Sequence, residues 1–241
     1  MTLTCQTRDE ALSGMLSKVD VFFDGVFTPL EAWRPRLVDE LRGAVASGRL
    51  TGAQLAALIR PGAHEVLSVT ERPIYGAGYC ASDAVVSEGN PLAWWQGEDR
   101  SLLASSTFGP GQAAIDLVRL EWYRVPQETG ERHVAGPFVD YLCSNEITLT
   151  SAVPLVVDGA FWGVACADVL VSSLERAMLA DLADVPNVTL VNSGGRVVIS
   201  TDPDFDTGQR YPGADAAGGV GGDGVRVARS ERYPFSLVVP E

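Results

Sequence analysis

The residues of this sequence best suited to chemistry are two acids and a set of aromatic rings. Trp122-Tyr123 is followed by Gly136-Pro-Phe138-Val-Asp140, and Asp168 closes the run Gly163-Val-Ala-Cys-Ala-Asp168. Aromatic faces and carboxylates both attract positive charge, so this combination has the composition of a cation-binding pocket. For any one of the rings, ordinary core packing is the simpler explanation; together with the acids they are harder to dismiss. The whole chain points the same way. With 18 basic and 31 acidic residues its formal charge is −13, a field that draws in an amine and repels phosphate backbones and anionic lipid. Nucleic-acid and membrane-surface binding are therefore not expected.

Two readings from other classes use the same residues. Asp140 and Asp168 could serve as the acid/base pair of an enzyme, but no nucleophile or metal-ligand set accompanies them. An interaction module that keeps a vestigial pocket would also carry these side chains. Binding of a small amine or amino acid, without catalysis, is the preferred expectation.

Cofactor and metal signals fail on inspection. Cys5, Cys80, Cys143 and Cys166 form no C-x-x-C pair, and His64 and His133 are the only histidines, which argues against structural zinc and a disulfide framework. Gly219-x-Gly221-x-x-Gly224 matches a dinucleotide fingerprint but has no preceding strand or following helix. Asp202-x-Asp204-x-Asp206 lacks the glycine and the bidentate Glu of a calcium loop. No cofactor and no metal are expected. The start, MTLTCQTRDE, has neither the basic nor the apolar region of a secretory signal, and no apolar run reaches the roughly 18 residues of a membrane span. The expected location is cytoplasmic, away from any membrane.

The elements that must position these residues fall into three segments. Residues 1–62 read as helical. Leu12, Met15, Leu16, Val19, Phe22, Phe23, Val26 and Leu30 form an amphipathic stripe, repeated by Trp33, Leu37, Val38, Leu41 and Val45 before Gly48. Thr51 to Gln54 has the form of a capping box, opening a helix that is expected to stop at Pro61-Gly62. Residues 63–200 read as short strands, at 64–70, 74–81, 91–96, 102–107, 119–125, 147–157, 160–168, 188–192 and 196–200, with one helix near 174–179. His133 lies in a polar run that looks like a hairpin tip. Residues 201–241 read as a Gly-rich loop and a last strand. The fold class is α+β, with N-terminal helices packed on an antiparallel sheet.

Asp158-Gly159 between two apolar runs predicts a two-residue hairpin. Strict pairing from that turn sets Val157 opposite Ala160, Leu155 opposite Trp162, Val153 opposite Val164, Ser151 opposite Cys166 and Leu149 opposite Asp168. Asp168 then lies on a largely apolar face, where an ionised carboxylate needs a partner. Two roles are open for it: the cap of the following helix, or an acid facing a ligand.

The order Trp122-Tyr123, Pro137-Phe138-Val139-Asp140, the strand from Thr150 to Val157, Asp158-Gly159 and Gly163-Val-Ala-Cys-Ala-Asp168 resembles the Cache domains, PAS-like sensor modules of chemoreceptors and histidine kinases. The likeness covers roughly 10–200 and implies a PAS-like sheet behind N-terminal helices. In the branch of that family that binds amino acids and amines, the matching positions imply that Trp122, Tyr123, Asp140 and Asp168 line the pocket, with the acids on the ligand ammonium. This sequence departs from the pattern in three ways. The Arg that holds a ligand carboxylate is replaced by Leu120, with Arg119 one residue away and, on a strand, facing the other side. The usual Tyr of the second motif is Phe138, which together with Arg119 stays among the expected ligand-binding residues. The flanking membrane spans are missing, so signalling would pass through a homodimer or a separate partner. The first departure favours amines over amino acids.

Overall fold

The computed structural model describes residues 5–103, 116–139, 146–215, 218–222 and 224–240. It opens with α1, Cys5–Val45, a single helix of 41 residues that runs through Pro29 and Pro35. The two amphipathic segments of the sequence are thus one stripe, from Leu12 to Leu41, buried along its length. That continuous burial outweighs the hydrogen bond each proline removes.

The short strand β1, Leu50–Thr51, leads into α2, Gly52–Val66. The capping box forms as expected: the Gln54 backbone N–H donates to Thr51 Oγ1 and the Thr51 N–H to Gln54 Oε1, at 3.3 and 2.8 Å. The helix does not stop at Pro61-Gly62, and the strand expected over 64–70 is its last turn and the loop beyond. Ile59, Ala63 and Val66 continue its buried stripe across the proline. Gly62 lies against the Trp33 indole of α1, where an added Cβ would stand 2.0 Å from Nε1.

Next come β2, Ile74–Ala81; β3, Val86–Glu88; β4, Leu92–Gln96; and β5, Ser101–Leu102. Most of the strand expected over 102–107 lies outside the described residues. A single 3-10 turn, Leu117–Arg119, precedes α3, Glu121–Thr129. This helix replaces the strand expected over 119–125. Gly130 ends it in a left-handed conformation, and Arg124 pairs with Glu128 one turn on. Then follow β6, His133–Val139; β7, Ile147–Val157; β8, Ala160–Leu170; and α4, Val171–Asp184. The chain ends with β9, Thr189–Asn192; β10, Val197–Ser200; β11, Val225–Arg229; and β12, Phe235–Pro240.

Six strands form an antiparallel sheet in the order β5-β4-β2-β8-β7-β6, and four form a second in the order β10-β9-β12-β11. The α+β class expected from the sequence is the one observed. The second sheet crosses position 200, where the sequence places a segment boundary, because the apolar run from Phe235 inserts beside β9. One face of the large sheet, with Tyr79, Leu149, Val153, Leu155, Ala165 and Val169, joins α1, α2, α4 and the second sheet in one apolar core. The opposite face carries a smaller cluster of its own. Among the described residues, no helix is long and apolar enough to cross a membrane.

The Gly62–Trp33 contact gives a direct test of the α1–α2 packing. Alanine at Gly62 would gain about 1 kcal/mol of helix propensity. It would also force a Cβ into a buried indole, an overpacking that costs about 1–3 kcal/mol. Gly62→Ala is therefore expected to lower the urea midpoint, whereas a site with room would raise it.

Candidate functional site

The hairpin turn is as expected, with φ of 52° at Asp158 and 80° at Gly159. The pairing above it is not. Leu155 faces Gly163 and Val156 faces Phe161, so Trp162 is an extra residue on β8 and every later pair slips by one. Gly163 makes this bulge possible. Its φ is 135°, and a Cβ there would stand 2.1 Å from the Cys80 carbonyl oxygen.

The slip moves Asp168 from Leu149 to Thr150, and so to the opposite face of the sheet. Ala152 and Cys166 pair on that face, as do Pro154 and Val164. Asp168 is 8% exposed, and Thr150 Oγ1 donates to its Oδ1 at 2.6 Å. It does not cap the next helix: the N-cap of α4 is Leu170, with no side-chain hydrogen bond. Of the two roles open from the sequence, the geometry leaves the acid facing the small cluster.

That cluster gathers Cys80, Trp94, Tyr123, Ala152, Val164 and Cys166, with Leu120, Trp122 and Phe161 packed against it. Helix α3 lies across β6, β7 and β8 and brings two of the expected residues in from above. Adjacent residues on a strand point to opposite faces, but on a helix they are only about 100° apart, so Trp122 and Tyr123 both reach the cluster. Their rings meet edge to face at 6.1 Å, and Tyr123 meets Phe161 the same way at 5.3 Å. Burial pushes the Tyr123 hydroxyl well above the usual phenol range.

Phe138 is half-buried on β6 opposite Thr148, on the same face as Thr150 and Asp168. Arg119 is not brought in. It belongs to the 3-10 turn rather than a strand, its side chain is 86% exposed, and it pairs with Asp116 at 2.8 Å. Asp140 lies outside the described residues.

The sequence reading missed several residues here. His133 is the first residue of β6, not a hairpin tip; its side chain is largely buried, with Nε2 2.9 Å from Glu121 Oε1 in the first turn of α3. This contact joins the helix to the strand beneath it. Thr150 was hidden by the bulge, which Gly163 inside a strand could have signalled. Cys80 and Cys166 are free thiols whose ionisation is pushed up by burial, which removes them as ready nucleophiles. No group of three or more His, Cys, Asp or Glu among the described residues could hold a metal. The arrangement places a recessed carboxylate on the sheet face that carries the aromatic cluster.

No protein-family model matches the chain. A stretch of 100 residues, 41% of the chain, is 33% identical to the methyl-accepting chemotaxis protein TlpQ of Pseudomonas aeruginosa; it corresponds to 13% of that protein's length. Several solved structures share the fold. The ligand-binding domain of the Campylobacter jejuni chemoreceptor Tlp3, in complex with L-norvaline, aligns over 96% of this chain and 88% of its own at TM-score 0.57 and 11% identity. The ligand-binding domain of the amino acid chemoreceptor PctC of Pseudomonas aeruginosa PAO1, in complex with GABA, covers 96% and 97% at 0.55 and 15%. The extracellular domain of the putative histidine kinase soHK1S-Z6 covers 96% and 91% at 0.60 and 12%. The fold is thus that of the Cache-type ligand-binding domains of such receptors.

Two outcomes test the site as built. Thr150→Val keeps the shape but removes the donor to a carboxylate, a loss of about 1.5–3 kcal/mol that chemical denaturation would register. Cys80 and Cys166 should resist a thiol reagent in the native protein and react once guanidinium unfolds it. Rapid native labelling at either position would contradict their burial.

Proposed function

We propose that the chain is a ligand-sensing domain that binds a small organic amine and performs no catalysis. The observation that carries this is Asp168, a carboxylate 8% exposed, on the sheet face that also bears the aromatic cluster under α3. A carboxylate at such depth favours a cationic guest. Trp122 and Tyr123 supply ring surface on the same face of the sheet. Asp140 is assigned as the second acid by its place in the motif. The recorded ligands of the neighbouring structures, L-norvaline and GABA, each carry an ammonium group.

Amines are favoured over amino acids because the arginines near the motif are engaged elsewhere. Leu120 stands two residues before Trp122, Arg119 pairs with Asp116, and Arg124 pairs with Glu128. Neither arginine is thereby placed to offer a bidentate fork to an α-carboxylate. The expected cytoplasmic location finds no support in the neighbours, one of which is an extracellular domain. The bound state would be read by a second copy of this chain or by a separate signalling partner.

Matched pairs in calorimetry test the ligand class: norvaline against butylamine, and GABA against propylamine, with 1,4-diaminobutane as a diamine. The amine of each pair is expected to bind at least as well as its amino acid. Binding of the amino acids alone would refute the amine reading and imply that an arginine reaches the pocket. Asp168→Asn should weaken the amine by about 2–5 kcal/mol, the usual cost of breaking a desolvated charge pair. Unchanged affinity in a folded variant would remove Asp168 from the site.

A further inference from the structure

The surface beside Asp168 has an unusual floor. On the same face, β2 presents Gly76 and Gly78, two positions without side chains. Gly76 pairs with Asp168 on one side and with Gln96 of β4 on the other, while Gly78 pairs with Cys166 and Trp94. The trough they leave is filled by the Trp94 indole. A Cβ on Gly76 would stand 2.7 Å from Cζ2 and 3.0 Å from both Cε2 and Nε1, and one on Gly78 would stand 2.9 Å from Cε3. The indole therefore reaches over β2 at Gly76 and Gly78. The ring is tied down at its far end, where Nε1 donates to Gln96 Oε1 at 2.9 Å.

A tryptophan on a sheet ordinarily stands away from it. Here it reaches across the neighbouring strand over the glycines and packs in the same buried cluster as Tyr123 of α3. Asp168 lies one strand further, about 5 Å away across Gly76. We infer that Trp94 is a ligand-contacting and specificity-setting residue, forming the floor over which a cationic head held by Asp168 is seated. This rests on the amine reading above and deepens it. The cation would be shared between a carboxylate and an indole face, with Gly76 and Gly78 required to keep that face low. Any side chain at position 76 would lift the ring into the space the ligand uses. Gln96 acts as a positioning residue, holding the indole N–H without touching the ligand.

The test measures binding of 1,4-diaminobutane and butylamine by calorimetry, with a thermal melt of each variant. Trp94→Phe keeps an aromatic face and Trp94→Leu does not. Leucine is expected to weaken binding about thirtyfold, the equivalent of a desolvated cation over a ring, and phenylalanine by less than about fivefold. Equal weakening by both, or leucine within threefold of the unaltered chain, would overturn the assignment. If Trp94→Leu does not fold, Gln96→Leu decides. Freeing the indole N–H should then weaken binding about tenfold while the melt shows a folded protein, and unchanged affinity would overturn the proposal. Failure of the unaltered chain to bind either amine overturns the amine reading and this inference together. Normal binding by both the unaltered chain and Trp94→Leu overturns this inference alone.

Discussion

The bulge at Trp162 is the constraint on which the site depends. One extra residue in β8 decides which face of the sheet every later side chain occupies, because strand side chains alternate with a period of two. The bulge is fastened by the strand beside it. The Trp162 carbonyl accepts from the Tyr79 hydroxyl at 2.5 Å and from the Ser82 N–H at 2.8 Å, and Ser82 Oγ donates to the Phe161 carbonyl at 2.8 Å. Tyr79 itself is fully buried in the main core. Polar groups that a bulge would leave unpaired are thus satisfied from within, which makes the irregularity as firmly specified as the regular pairs around it. Remove it and Asp168 would point into the core among Leu149, Val153 and Leu155. There, burial without a partner would cost several kcal/mol.

That dependence explains which parts of the molecule were legible in the sequence. Local signals read true where the physics is local. The Thr51–Gln54 box caps α2, Asp158-Gly159 turns the hairpin, and the apolar stripe of α1 is buried throughout. Errors arose where distant contacts overrule a local rule. Pro61 does not end α2, because Ala63 and Val66 are held in the core on its far side. The segment around Trp122 has the aromatic, β-branched composition of a strand. It folds as a helix whose first turn is pinned by Glu121 to His133, a contact made with a strand twelve residues on. Three of the expected residues are nonetheless brought to one face of the large sheet. Trp122, Tyr123 and Asp168 do share a face, but for reasons of helix geometry and a register slip that the strand reading did not contain. Arg119 lies outside the cluster, on a 3-10 turn and not on the strand expected there.

The two sheets are joined at the strand that carries the site's outer wall. Asn192, at the end of β9, donates through Nδ2 to the Gly136 carbonyl of β6 at 2.6 Å. Just before β6, Arg132 lies over the Phe27 ring of α1 at 4.8 Å and the Tyr233 ring of the β11–β12 turn at 5.4 Å. Its charge is balanced by Glu31 at 2.8 Å and Asp24 at 3.5 Å, and Asp24 also accepts from the Tyr233 hydroxyl and from Arg232. Stacked and multiply paired, this arginine is held far more firmly than an exposed ion pair, whose worth is rarely above about 1 kcal/mol.

The consequence is mechanical. Helix α3 carries Trp122 and Tyr123, ends at Gly130, and passes through Arg132 into β6 within a few residues. One end of that unit is set by Glu121 on His133, and the other by Arg132 between α1 and the second sheet. The aromatic side chains of α3 therefore cannot shift as an isolated loop would. A displacement of α3 as a unit strains the His133 contact or the packing of Arg132 against Phe27 and Tyr233. The first keeps the change within the large sheet. The second delivers it to the long helix, which touches both sheets and is buried along nearly its whole length. In a close-packed interior a shift at one surface is passed to its neighbours rather than absorbed. The placement of α3 and that of the second sheet are thus linked by contacts already present in the fold.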